Sequence, residues 1–151
     1  MSYSGVNFLL IVVLSILVSI HMAQTPASSE EVDKFFRHYF KVHIINGFKS
    51  NEKPFIIHCY SHDDDLGEHT LWMKGEFKFK FGVHMIIPPT YFWCDMQWGT
   101  KKKRIDVFTM DTEAALCSDT GNCFWLVKET GFYLSKDQSQ WVKMYYWPFD
   151  V

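Results

Sequence analysis

The sequence predicts an all-β protein, an antiparallel β-sandwich of about eight or nine short strands stapled by disulfides, preceded by an N-terminal signal peptide. Three observations predict it. Aromatic residues are abundant, with 14 Phe, 7 Tyr and 6 Trp making 18% of the 151 residues, and such side chains suit pleated, half-buried surfaces. Short segments alternate apolar and polar residues with turn signals roughly every ten residues, and almost no segment has a helical period. Four cysteines, Cys59, Cys94, Cys117 and Cys123, follow a leader-like apolar run and read as two disulfides of a secreted chain.

The leader is the run Phe8 to Ile20, built from Phe, Leu, Ile, Val and Ser. It is short for a bilayer span and suits the core of a signal peptide. Small residues at Ala23, Thr25 and Ala27 place cleavage between Ala23 and Ala27, so residues 1–23 are read as signal peptide; an uncleaved membrane anchor is the rival. No other run of that length occurs, so no membrane insertion is expected after cleavage. Residues 24–39 form a polar mature N-terminus in which Ser28 and Glu31 are spaced as a capping box. Val32, Phe35, Phe36 and Tyr39 follow at helical spacing, which predicts a short helix.

From Phe40 the period changes to two, and residues 40–151 are read as one domain. Phe40, Val42 and Ile44 alternate with Lys41, His43 and Ile45 up to a turn at Asn46-Gly47. Phe55 to Ser61 is the next strand, apolar on both faces and therefore central. His69 to Met73 and Glu76 to Phe81 predict a hairpin about Lys74-Gly75. In its second arm Phe77, Phe79 and Phe81 face the core, and Glu76, Lys78 and Lys80 form a solubilising face. After Pro88-Pro89, Tyr91 to Trp98 places Phe92, Cys94, Met96 and Trp98 on one face. Gly99 to Lys103 reads as a hairpin tip leading into a strand from Arg104 to Met110. Asp111 to Asn122 reads as a long loop held by the Cys117/Cys123 pair. Cys123 to Lys128, a three-residue loop Glu129-Thr130-Gly131, Phe132 to Ser135, and Trp141 to Trp147 complete the chain.

A formal charge of −2 gives no electrostatic case for a nucleic-acid partner. No G-x-S-x-G, H-E-x-x-H, P-loop or G-x-G-x-x-G motif is present. His58 and His62 near lysines are the material for a ribonuclease-like acid/base pair, which requires a shared target. His62, Asp63, Asp64, Asp65 and His69 could ligate a metal. Consecutive aspartates point apart, however, and calcium loops use alternate positions, so the favoured reading is an Asp-rich turn with one carboxylate capping backbone N–H groups. The cysteines lack the C-x₂-C pair of a zinc site. No catalytic residue, cofactor or metal is assigned. Exposed Trp and Tyr leave a sugar platform as an alternative.

The ordered pieces Val42-His43-Ile44-Ile45-Asn46, His58-Cys59-Tyr60-Ser61-His62-Asp63-Asp64-Asp65-Leu66-Gly67, Gly75 to Phe81, Phe92-Trp93-Cys94-Asp95-Met96-Gln97-Trp98, Asp106-Val107-Phe108 and Cys117 with Cys123 to Tyr133 resemble the plant self-incompatibility protein S1 family. The resemblance covers about residues 41–147. It implies a small, secreted, non-enzymatic β-sandwich acting as a signalling ligand for a cell-surface receptor, as the founding members do in rejection of self pollen; a monomer is expected. It implies recognition by variable hairpin loops, here Asp63, Asp64 and Asp65 together with Lys101, Lys102 and Lys103. The alternative is a secreted carbohydrate-binding module of the cell wall. Two pairings of the cysteines stay open beside Cys59–Cys94 with Cys117–Cys123.

Overall fold

The computed structural model describes residues 10–16, 37–84 and 89–148. Two compact units are distinguished, residues 1–36 and residues 37–151. In the first, residues 10–16 form a helix, α1; no helix among the described residues is long and apolar enough to cross a membrane. The cleavage region and the residues Val32, Phe35 and Phe36 of the expected short helix lie outside the described residues. Tyr39, grouped with them by spacing, belongs to a strand.

The second unit is a sandwich of two sheets. Its strands are β1 (Arg37–Asn46), β2 (Phe55–Ser61), β3 (Asp65–Leu71), β4 (Glu76–His84), β5 (Phe92–Trp98), β6 (Lys101–Phe108), β7 (Asn122–Lys128), β8 (Gly131–Ser135) and β9 (Val142–Tyr145), with a short helix α2 (Glu113–Cys117) between β6 and β7. One sheet has the order β4-β1-β7-β8-β9 and the other β3-β2-β5-β6. Neighbours are antiparallel except β1 and β7, which run parallel.

The period-two residues meet between the sheets. Phe40, Val42 and Ile44 of β1 and Trp125 and Val127 of β7 are buried against Phe55 and Ile57 of β2, Met96 of β5 and Ile105 and Val107 of β6. Phe77, Phe79 and Phe81 of β4 pack half-buried against this core. Trp125, fully buried, joins the layers: its indole N–H donates to the Val107 carbonyl at 2.9 Å. Burial of an aromatic of this size needs that partner for its one polar atom.

Both disulfides are present. Cys59–Cys94 links directly opposed residues of β2 and β5, with Cα atoms 4.0 Å apart, so it lies within one sheet. Cys117–Cys123 ties the end of α2 to the start of β7. The Asp111–Asn122 segment is therefore not simply loop. Glu113, 1% exposed, accepts from the Thr109 amide at 2.9 Å and its hydroxyl at 2.7 Å, which holds α2 against the core.

Three sequence expectations are corrected. His69–Met73 and Glu76–Phe81 do not form a hairpin; β3 pairs with β2 and β4 with β1, so the turn carries the chain from one sheet to the other. Asn46 fixes that corner. Its side-chain amide donates to the Leu71 carbonyl at 2.8 Å, its backbone amide donates to Gly75 and its carbonyl accepts from Lys74. The lysine run is not a tip: Lys101, Lys102 and Lys103 are already in β6, paired with Trp98, Gln97 and Met96, and the turn is Gly99-Thr100. The β7–β8 loop has two residues, because Lys128 pairs with Gly131. Gly131 has φ +135°, and a Cβ there would meet the Tyr145 carbonyl oxygen at 2.4 Å, so glycine is required by close approach of β9.

Candidate binding face of the four-stranded sheet

Alternation sends one set of side chains from each strand outward. On the four-stranded sheet these are His58 and Tyr60 of β2, Trp93, Asp95 and Gln97 of β5, and Lys102, Arg104 and Asp106 of β6, with Glu68 of β3 beside His58. All of these but Trp93 and Asp106 line a groove of about 410 Å³, together with Ile56.

Several charges on this face are held in fixed pairs. Arg104 grips Asp95 from the neighbouring strand through two hydrogen bonds, Nε to Oδ1 and Nη2 to Oδ2, both 2.7 Å. That fork-to-carboxylate geometry is the strong form of the contact. The Arg104 guanidinium holds the Asp95 carboxyl below the usual carboxylate range, and Asp95 raises Arg104 in turn. Asp65 accepts from the Gly67 amide at 2.8 Å and lies 2.6 Å from His58 Nε2. The Gly67 amide, then His58, lower its pKa. Tyr91 donates its hydroxyl to Asp106, which pushes the phenol up to about 12.

A ladder of rings crosses the same face. His58 stacks on Tyr60 with centroids 4.1 Å apart, Tyr60 and Trp93 are at 6.1 Å, and Trp93 and Tyr91 at 5.1 Å. Burial, ahead of the nearby carboxylates Asp65 and Asp95, raises the Tyr60 phenol.

The Asp-rich segment is a turn at one end of this face. Ser61 Oγ accepts from the Asp64 amide at 2.9 Å, and the Ser61 amide donates to the Asp64 carbonyl at 2.8 Å. Asp65 is the carboxylate that caps a backbone N–H; Asp63 and Asp64 are exposed. The register puts Ser61 opposite Phe92 and Phe55 opposite Trp98, the partner of Lys101. The aspartates and lysines therefore lie at opposite ends of the sheet. Lys102 and Lys103 both line the groove, and Lys103 also reaches the Tyr145 ring at 5.8 Å.

His58 and His62 share no bonding partner: the first engages Asp65 and the second Asp63. The His69 ring lies 2.9 Å from the Leu66 carbonyl and stacks on Phe77. Among the described residues no three His, Cys, Asp or Glu side chains are grouped to hold a metal ion. The Asp95–Arg104 clamp and the ring ladder are the features that sequence reasoning missed. Both depend on strand register; the only signal was that Trp93, Asp95 and Arg104 fall on the face opposite Cys94 and Ile105.

Comparison with known proteins covers most of the sandwich. The family model for plant self-incompatibility protein S1 matches residues 41–147. The chain is 36% identical over 95 residues to S-protein homolog 1 of Arabidopsis thaliana, covering 63% of this chain and 62% of that protein, under two thirds of its length. With S-protein homolog 7 of the same plant it is 31% identical over 146 residues, covering 93% of this chain and 99% of that one. A solved structure of self-incompatibility protein homologues, described as a widespread family of small, highly stable, secreted plant proteins, superposes with a TM-score of 0.56 over 75% of this chain and 97% of that one. At 16% identity that likeness is one of fold.

Proposed function

The chain belongs to the plant self-incompatibility protein S1 family, and we propose that it is a secreted, non-enzymatic signalling ligand bound by a cell-surface receptor, with self-pollen rejection as one process it serves. The observation that carries this reading is the outer face of the four-stranded sheet. There Asp95 is committed to Arg104, and Asp65 to His58 and the Gly67 amide, a state suited to presenting a fixed charge pattern. A catalytic group is instead poised with a free proton or lone pair within reach of a substrate. The receptor surface is proposed to run from Asp63, Asp64 and Asp65 across the groove to Lys102 and the strand that holds Lys101 and Lys103. Such surfaces on a rigid sandwich suit recognition. Residues 1–23 are proposed to be removed on secretion, and the N-terminal sequence of the secreted product checks it: a start between Ala23 and Ala27 supports the reading, and retention of Leu10 contradicts it.

The test of the function is a titration of labelled, oxidised protein onto intact plant cells, pollen included. Saturable binding displaced by unlabelled protein is expected and leads to crosslinking of the receptor; uptake that rises linearly with concentration contradicts a receptor ligand. The ladder of Tyr60, Trp93 and Tyr91 favours a second reading, a platform for the apolar faces of neutral sugars. Specific signals on an array of neutral wall glycans, abolished by Trp93→Ala, would favour it over the first.

A further inference from the structure

The outer face of the five-stranded sheet is built differently. Lys78 and Lys80 of β4, Lys41 of β1, Lys128 of β7 and Lys143 of β9 all point from it, on the side opposite the buried Phe40, Val42, Trp125 and Val127. Of the acids near them, Glu76 shares this face, with its carboxylate 2.5 Å from His43 Nδ1 on the neighbouring strand, and Glu129 accepts from the Lys49 amide. Register sets Lys41 directly opposite Lys80, an arrangement of like charges that costs stability. The lysine ammoniums lie instead over rings: Lys80 over Tyr39 at 4.8 Å, Lys128 over Tyr133 at 5.6 Å, and Lys143 over Tyr133 at 5.2 Å and Tyr146 at 4.6 Å. Between the two lysine groups runs a half-buried apolar strip, Ile45, Phe124 and Leu126, aligned through the parallel β1–β7 pair.

We propose that this face binds a linear acidic polysaccharide of the polyuronate class, laid across the strands. Register sets Tyr133, Leu126, Ile45 and Glu76 in one row with Lys143, so the path from Lys143 to Lys78, Lys41 and Lys80 runs obliquely over roughly 20–25 Å, given strand spacings of about 4.8 Å and a rise of about 3.4 Å per residue. Carboxylates along such a polymer meet ammonium groups at both ends of its path, while the apolar faces of its sugar rings lie on Phe124, Leu126 and Tyr133. Charge complementarity selects an acidic over a neutral glycan. The flat strip selects a chain of stacked rings over a phospholipid surface, which needs protruding apolar groups to insert. This surface is separate from the proposed receptor face, so the two stand or fall independently.

The test uses disulfide-intact protein expressed from the full chain and immobilised polygalacturonate as probe. Comparators are the same polymer fully methyl-esterified, double-stranded DNA, and phosphatidylcholine vesicles containing phosphatidylserine. Saturable binding to polygalacturonate that weakens with salt is expected, with little to the ester. The double variants Lys41→Gln/Lys80→Gln and Lys128→Gln/Lys143→Gln should each weaken it by about tenfold, Lys→Arg at the same positions should restore it, and Lys53→Gln, at an exposed position between β1 and β2, should leave it unchanged. These are solvent-facing positions, so a thermal midpoint no lower than that of the unsubstituted protein verifies that each variant is folded. Binding that survives both double variants, that is absent at low salt, or that is as tight to DNA or to the vesicles overturns the proposal.

Discussion

On the outer face of the four-stranded sheet Asp95 ends on Arg104, Asp65 on His58 and Asp106 on Tyr91. On the outer face of the five-stranded sheet Lys80, Lys128 and Lys143 end on aromatic rings. The first arrangement presents a fixed pattern of charge; the second holds cations over rings, while the acid on the same face, Glu76, is paired with His43. The difference teaches that one sandwich can present two unlike surfaces without compromising its core, because alternation separates them from it. The same contrast runs through the interior. The four-stranded sheet carries a cystine between its central strands, whereas the five-stranded sheet is tied to it by Trp125 and Asn46.

Breaking the join between the sheets should cost most. Trp125→Ala removes the largest fully buried side chain and is expected to destabilise by about 3–5 kcal/mol in chemical denaturation. Trp125→Phe keeps most of the ring and strands the Val107 carbonyl, for about 1–3 kcal/mol. The cystines sharpen the comparison between sheets. Cys59–Cys94 closes a separation of 35 residues and Cys117–Cys123 one of 6. Chain entropy then assigns about 4 kcal/mol to the first and about 2 to the second, so paired Cys→Ala variants should differ in that order. Asn46→Ala leaves the Leu71 carbonyl and the Phe48 amide without their partner and should cost about 1–3 kcal/mol.

Much of this was legible in the sequence because period two survives any context. β2 falls on Phe55–Ser61 as expected, and Phe40, Val42 and Ile44 face the core. What escaped was set by tertiary pairing. Lys74-Gly75 has the composition of a hairpin turn, yet Asn46, more than twenty residues earlier, directs the chain into the other sheet. The lysine run has the composition of a tip, yet β5 supplies strand partners to all three residues. For the candidate site, the Asp-rich turn was visible as a run of like residues, whereas the Asp95–Arg104 clamp and the opposition of Lys41 to Lys80 exist only once register is known.

The smallest effect is expected from pH. Asp95 is lowered by Arg104, so the ionised form is favoured in the folded state. Its contribution is present above the ordinary carboxylate range and is lost as pH falls through the depressed folded value. The pair is partly exposed, with side chains 62% and 44% accessible, so the contribution is about 0.5 kcal/mol. Denaturation midpoints measured down the acid limb should therefore show a slightly shallower fall for Asp95→Asn than for the unsubstituted protein.

The central claim, that the four-stranded face carries receptor recognition, is tested most directly by competition on plant protoplasts, from which the wall and its acidic polysaccharides have been removed. Unlabelled Lys102→Gln/Arg104→Gln and Lys41→Gln/Lys80→Gln proteins would each be titrated against labelled wild type. Loss of about tenfold or more in competing potency for the first, with the second matching wild type, is the result the account predicts. Full potency of the first variant with loss in the second would contradict it and place recognition on the opposite sheet.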